Sequence, residues 1–384
     1  MKSKLICLFL GLLLVFLNCQ NESLLISRFN EKISHLQKKY APDRSLEVFK
    51  AQLSKEKNHW ILRGETTLPE AKIAIISVTD SLLGRNNYQN NLKILPDSTL
   101  GDSTFGIVKL SVVNLRDEPD HAAELVDQNI MGQILRLLKK ENGWYLVQTE
   151  YRYIGWMTEE SFVCTDAAGI DRWKNENKVR VIELFPLVYS QPDENSEPIC
   201  DVVLNAFLKF EAQHGGWAKV STPDGRTGYV QTKNISTERT LVESYEVFGK
   251  NITRTARKMM GIPYLWGGNS SKANDCSGFA QTVFRANDIA LPRDAHQQSQ
   301  VGSQIIPDDS FSNLLPGDLL FFGTKSRITH VGISLGGAEF IHQSDMVRIN
   351  SLDSLAANYS GFRRHTLKSI KRVLLIPEKD GDIL

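Results

Sequence analysis

The sequence predicts a multidomain protein in which a small strand-strand-helix domain is followed by two small β-barrels and a C-terminal α+β domain. Three observations support this. The chain has 384 residues, 41% of them hydrophobic, which is enough for several domains that each bury a core. A stretch built on paired glycine and aromatic residues occurs twice in its middle. Beyond about Ser244, short alternating runs give way to helix-periodic segments followed by strands, the order of an α+β unit. The charges nearly cancel, with 45 Lys and Arg against 44 Asp and Glu, so no basic field exists to hold a polyphosphate and nucleic-acid binding is not expected.

The first element, residues 1–19, reads as an export signal. Two lysines precede an apolar run from Leu5 to Leu17, too short to span a bilayer and suited to a secretory signal core. Cys19 directly follows that run, as in a bacterial lipoprotein signal where the cysteine carries the lipid and becomes the mature N-terminus. The expected location is therefore the periplasm or cell envelope, with the protein held at a membrane by its lipid. Of the five cysteines, Cys7 would leave with the signal, and Cys164 and Cys200 read as two separate buried thiols. Cys276 is then unpaired, as a nucleophile must be.

Residues 21–101 form the second element. A polar, partly helical start leads into two strand-like runs, Leu46 to Leu53 and Trp60 to Glu65. A helix follows, with Thr67 as its expected N-cap, Pro69 in its first turn, and Ala71, Ile75, Val78 and Leu82 at helical spacing. No catalytic signature is present in this segment.

The third and fourth elements are the repeat. NGWYLVQTEYRYIGWM surrounds Trp144 and GGWAKVSTPDGRTGYV surrounds Trp217; each has Val three residues after the tryptophan and a second Gly-aromatic pair twelve after it. Period-two alternation broken by turn residues marks hairpins, and two barrels are expected at 105–165 and 178–237. The pattern resembles bacterial SH3-like domains, which accompany cell-wall enzymes.

In the last element, 244–384, an amphipathic helix (Val247 to Met260) precedes GIPYLWGG and then NDCSGFAQTVF. Strands are expected at Asp318 to Phe322, His330 to Leu335 and Glu339 to His342. If Asn274 or Asp275 caps the helix, Cys276 sits in its first turn, where unpaired N–H groups and the helix dipole favour a thiolate. The Asp275 carboxylate acts the other way, so a base is needed. Alternation in ITHVGISLG puts His330, Gly332 and Ser334 on one strand face, the glycine leaving room for a ligand, and His342 ends the next strand. A nucleophile, a base and an orienting group are the three parts of a cysteine peptidase site. The eight histidines show no H-E-x-x-H spacing, so no metal or other cofactor is expected.

PYLWGG, DCSGF, LPRDAHQQ, LPGDLLFF, THVGISLG and FIHQS, in that order, resemble the NlpC-type cell-wall peptidases, a resemblance that covers about 130 residues of the C-terminal segment. That resemblance implies a papain-like α+β catalytic domain behind two SH3-like barrels, with Cys276 as nucleophile, His330 as general base and His342 fixing the imidazole. Tyr264 would lie beside the nucleophile and help hold the oxyanion with the Cys276 backbone N–H, or pack beneath the site. The implied reaction cleaves the bond between γ-D-glutamate and a diamino acid in peptidoglycan stem peptides or muropeptides. By the same resemblance the first barrel walls off the cleft, so that a free N-terminal L-alanine is required. Asp275, Ser277, Asp294, Tyr153 and Glu118 match the positions that would meet its amine and backbone. The protein is expected to act as a monomer. Two other readings remain open at this level: a wall-binding lipoprotein with an inactive peptidase domain, and an acyl transferase or sugar-amide hydrolase using the same cysteine.

Overall fold

A computed structural model describes residues 22–237 and 245–373; residues 1–19, read above as an export signal, and Cys19 within them lie outside these. Residues 22–101 form one compact unit and the described residues from Asp102 onward another. The first unit opens with helix α1 over residues 22–40. Strands β1 (Phe49–Glu56) and β2 (His59–Thr66) pair antiparallel across a turn in which Lys57 and Asn58 both have positive φ. Helix α2 (Pro69–Leu83) then returns the chain so that β3 (Tyr88–Ile94) runs parallel to β2, a connection that requires a crossover. Phe29, Leu62, Ala71 and Ile75 are its fully buried core.

Two details differ from the sequence reading of this unit. The N-cap is Leu68, one residue later than expected, because the Thr67 hydroxyl is used elsewhere: it donates to Glu47 Oε2 and accepts from the Val48 N–H. Strand β3 was not anticipated, since YQNNLKI presents mostly polar side chains and buries only Leu92.

In the second unit both barrels are seven-stranded sheets. The first comprises β4 (Phe105–Val108), β5 (Val112–Arg116), β6 (Leu125–Ile130), β7 (Ile134–Glu141), β8 (Trp144–Thr149), β9 (Ile154–Thr158) and β10 (Phe162–Thr165). After helix α3 (Ala167–Asn175), the second comprises β11 (Lys178–Val181), β12 (Leu187–Tyr189), β13 (Pro198–Asp201), β14 (Phe207–His214), β15 (Trp217–Ser221), β16 (Thr227–Gln231) and β17 (Ile235–Ser236). Their strand orders, β10-β4-β7-β8-β9-β5-β6 and β17-β11-β14-β15-β16-β12-β13, are the same path traced twice. The repeated motif is the β8–β9 hairpin in one and β15–β16 in the other, with Trp144 opposite Thr158 and Trp217 opposite Gln231. Trp144 is buried, while Trp217 is half-buried against the edge of Tyr189. Cys164 and Cys200 are separate free thiols, but Cys164 is exposed, because it lies on the outward face of edge strand β10.

The C-terminal domain places helices α4 (Tyr245–Lys258), α5 (Cys276–Arg285) and α6 (Ala295–Gln298) before a six-stranded antiparallel sheet. Its strands are β18 (Ser303–Ile305), β19 (Leu319–Gly323), β20 (Ile328–Gly336), β21 (Glu339–Ser344), β22 (Met346–Ser351) and, after helix α7 (Gly361–Thr366), β23 (Leu367–Arg372). Phe248 and Ile252 of α4, Phe279 and Val283 of α5, and Val331 and Ile333 of β20 share one apolar core. Helix α5 is thereby pinned to the sheet along its length, and its N-terminus is held at strand β20.

Candidate active site

Cys276 is the first residue of α5. Asp275 is the N-cap, its Oδ1 accepting from the Gly278 N–H at 2.7 Å. The cysteine is 8% exposed, and its sulfur accepts from the backbone N–H groups of Ser277 and of Val331, the residue after His330. Burial, and then the Asp275 charge, push the thiol up to about 12, against those two N–H groups and Arg293. At neutral pH the sulfur therefore carries its proton, and attack on a carbonyl needs a base at that moment.

Strands β20 and β21 supply imidazoles. Their register pairs Gly332 with His342, which leaves His330 two residues along on the same face. His330 Nε2 lies 2.8 Å from His342 Nδ1, and His342 Nε2 lies 2.9 Å from Asn350 Oδ1 on β22. Asn350 Nδ2 donates to the Asn358 carbonyl at 2.9 Å, and this fixes which end of the amide faces the histidine. The tautomers follow in sequence. The amide oxygen can only accept, so His342 carries its proton on Nε2; its Nδ1 must then accept, so His330 carries its proton on Nε2. The Nδ1 lone pair of neutral His330 is left free to take a proton. Burial holds His330 well below the usual imidazole value, with Arg363 and His342 adding to the effect, and holds His342 at about 4. Both rings are therefore neutral near pH 7. Gly332 does not leave space for a ligand as its position in the strand predicted: a Cβ there would meet Phe340 at 2.9 Å and His342 at 3.2 Å.

Tyr264 is 38% exposed at the mouth of this arrangement, its backbone N–H bound to the Asp345 carbonyl at 2.8 Å. Burial raises its phenol, followed by the charges of Cys276 and Asp275, so the ring lies within electrostatic reach of the sulfur.

A residue absent from the sequence reading organises the opposite side. Arg293, 1% exposed, donates from Nη2 to Asp275 Oδ2 at 2.6 Å and from Nη1 to Asp275 Oδ1 at 3.1 Å and to Ser277 Oγ at 2.9 Å. Its Nε donates to Asp127 Oδ1 of the first barrel at 2.5 Å, and the other Asp127 oxygen accepts from the Tyr151 hydroxyl. Asp275 also accepts from Gly267 N, and Ser277 donates to it. Both Asp275 oxygens and the Ser277 hydroxyl, expected to meet a substrate amine and backbone, are thus already engaged by protein groups in the ligand-free chain.

Of the remaining expected residues, Tyr153 and Asp294 meet across the domain boundary, the Tyr153 hydroxyl donating to Asp294 Oδ2 at 3.4 Å. Burial raises both the phenol and the carboxyl. Glu118 is not with them: it is exposed on the turn after β5 and makes no side-chain hydrogen bond or ion pair among the described residues. Glu124, six residues later on the same loop, occupies that side instead, accepting from Trp266 Nε1 of the PYLWGG motif at 2.7 Å. Beside it the two domains touch closely. Gly267, with φ +73°, lies against the Leu125 carbonyl, which a Cβ would meet at 2.2 Å.

Comparison with known proteins agrees with this assembly. Residues 261–366 match the NlpC/P60 family, 115–162 the bacterial dipeptidyl-peptidase SH3 domain and 188–236 the bacterial SH3 domain. The chain is 30% identical over 258 residues to dipeptidyl-peptidase 6 of Lysinibacillus sphaericus, covering 64% of this chain and 91% of that protein. It is 26% identical to a γ-D-glutamyl-L-lysine dipeptidyl-peptidase of Bacillus cereus, covering 63% of this chain and 73% of that one. The crystal structure of an NlpC/P60 family protein from Bacillus cereus superposes with a TM-score of 0.60 over 70% of this chain and 99% of that one, at 22% identity, a likeness of fold. The chain belongs to the NlpC/P60 family and is a cysteine peptidase of the cell-wall endopeptidase class, with two bacterial SH3 domains ahead of its catalytic domain.

Proposed function

We propose that the protein hydrolyses the bond between γ-D-glutamate and a diamino acid in peptidoglycan stem peptides, with Cys276 as nucleophile and His330 as general base. The observation that best supports these roles is the chain from Asn350 through His342 to His330, which leaves a lone pair on His330 Nδ1 beside the strand residue that binds the Cys276 sulfur. As the sulfur attacks the γ-carbonyl carbon, His330 takes the thiol proton. The Cys276 backbone N–H and Tyr264 hold the oxyanion. His330 then returns the proton to the departing amine, and water, deprotonated by the same imidazole, cleaves the thioester.

The substrate carries a free N-terminal L-alanine in this reading. Tyr153 and Asp294 meet at the barrel face of the cleft, and Glu124 stands beside Trp266 on the same wall. A buried ammonium needs such acceptors, whereas in intact wall the alanine nitrogen is an uncharged amide to the sugar. The enzyme is then a trimmer of released fragments in recycling or remodelling, exported to the cell envelope as a monomer and lipidated at Cys19. Its functional units are those expected at 105–165, 178–237 and 244–384.

The test is kcat/KM for L-Ala-γ-D-Glu-diaminopimelate against its N-acetyl form. Loss of a charge-assisted contact in a desolvated pocket costs about 2 to 5 kcal/mol, on the order of 30-fold to several thousandfold. Glu124→Gln should lower turnover of the free-amine peptide while Glu118→Gln does not. A ratio near unity refutes the amine requirement, and turnover by Cys276→Ala refutes the mechanism.

A further inference from the structure

Two adjacent arginines on helix α7 have different surroundings. Arg364 donates to the Leu352 carbonyl at 3.2 Å and lies over the Phe311 ring at 4.4 Å, away from the catalytic pair. Arg363 lies over Phe322, its guanidinium carbon 5.5 Å from the ring centroid, and the same ring packs on His330 with centroids 5.8 Å apart. A second aromatic face, Phe362, is 5.3 Å from the guanidinium. The cation is thus seated one aromatic ring away from the general base.

Arg363 has no anionic partner among the described residues. Among the described residues no carboxylate lies within ion-pair distance of it, and its hydrogen bonds are made by its backbone alone, the N–H donating to Ser360 Oγ and the carbonyl accepting from Thr366 Oγ1. Burial lowers its pKa while the Cys276 charge raises it, and Arg363 in turn lowers His330 and His342. An unpaired cation beside a base that must accept a proton works against catalysis in the empty enzyme. It is also a half-desolvated guanidinium whose aromatic neighbours engage its faces and not its N–H donors. Such a group is completed by an anion lying in its plane.

We infer that Arg363 binds the free α-carboxylate of the γ-D-glutamyl residue and makes the enzyme selective for glutamyl over α-amidated, isoglutaminyl stem peptides. The inference rests on the γ-glutamyl reading above. In a γ-linkage the α-carboxylate is not part of the chain; it stays ionised and lies three carbons from the carbonyl that Cys276 attacks. Binding it would pair the cation, remove its repulsion on His330 and so raise the basicity of the imidazole when substrate is present. An isoglutaminyl residue has a neutral amide at that place, whose NH2 cannot accept from a guanidinium and whose oxygen is a weaker acceptor than a carboxylate.

The experiment compares kcat/KM for L-Ala-γ-D-Glu-diaminopimelate and the α-amidated L-Ala-D-isoGln-diaminopimelate in the full-length enzyme, Arg363→Met and Arg363→Lys. The wild type should prefer the carboxylate peptide at least tenfold. Arg363→Met should lose tenfold to a hundredfold on that peptide and stay within about threefold on the amide, and Arg363→Lys should recover part of the preference. Equal losses on both peptides would make Arg363 a structural residue. A wild-type ratio near unity overturns the inference without any variant, so a poorly folding Arg363→Met does not shield it. If the wild type cleaves neither peptide but does cleave an α-linked one, the γ-glutamyl reading itself fails, and this inference with it.

Discussion

Replacing Asn350 with leucine removes the last acceptor of the histidine chain while keeping its branched heavy-atom shape. His342 is 2% exposed, and its Nε2–H meets Asn350 Oδ1 at 2.9 Å. Without that oxygen the ring has two choices. It can keep the proton on Nε2 as a buried, unpaired donor, at a cost of about 1 to 3 kcal/mol. Alternatively it can move the proton to Nδ1, where it points at His330 Nε2 and forces that atom to accept. His330 must then carry its own proton on Nδ1 and can no longer act as a base. Either way the competent tautomer pair is disfavoured by about 1 to 3 kcal/mol, a fall in kcat of roughly 5-fold to 150-fold with KM little changed, because Asn350 is on β22 behind the histidines. Steady-state rates on the free-amine tripeptide measure this, with 15N imidazole shifts to read the tautomers and a melting curve to establish folding. Asn350→Asp should not rescue: a carboxylate would stabilise protonated His342, whose Nδ1–H again faces His330, and it would set an anion against the Asn358 carbonyl. A folded Asn350→Leu enzyme with kcat within twofold of wild type would refute the tautomer argument.

Removing Arg293 leaves Asp127 and Asp275 buried without their counterion, and breaking a buried pair of this kind costs about 3 to 5 kcal/mol. Arg293→Met should lower the melting temperature by about 5 to 10 °C and weaken activity with it; a shift under 2 °C would show that the clamp contributes little. His342 gives a pH dependence of stability. Its folded value of about 4 lies below the 6.5 of an unfolded histidine, so between these values the unfolded chain binds the proton and the folded one does not. Its contribution is fully present above about pH 6.5 and is lost as pH falls from there to about 4, up to about 3 kcal/mol. Urea titrations across that range should show a shallower decline for His342→Gln than for wild type, and parallel curves would refute the assignment.

How far the site was legible depended on the range of the forces that build it. Cys276, His330 and His342 could be read because their chemistry is tied to local pattern: a capped, helix-periodic run and two short strands joined by a glycine turn. The barrels could be read because the repeat restates one hairpin twice. Arg293 could not. Its partner Asp127 lies 166 residues earlier, and nothing in LPRDAHQQ distinguishes a buried arginine from a solvated one. Glu118 and Glu124 share one polar loop, and only the hairpin of β5 with β6, where Arg116 stands opposite Leu125, decides which reaches Trp266. Asn350 was hidden for a related reason. It joins His342 through the register of β21 with β22, where Phe340 stands opposite Asn350 and His342 opposite Arg348, and a one-residue slip would turn it to the other face.

Arg293 also resolves the conflict between a thiol that must lose its proton and a carboxylate next to it in the chain. Asp275 is needed as the helix cap, but alone it would set a full negative charge beside the sulfur. The guanidinium neutralises it from within the domain and holds both of its oxygens, so that the cap is retained while the repulsion is reduced. That solution creates a buried cation, which a second carboxylate, Asp127, balances from the first barrel, with the Tyr151 hydroxyl supporting its other oxygen. The barrel is thereby part of the electrostatics of the nucleophile. A catalytic domain without it would expose Arg293 and Asp275 to water or leave the cation singly paired, and in either case the cap of α5, on which the position of Cys276 depends, would be less firmly held.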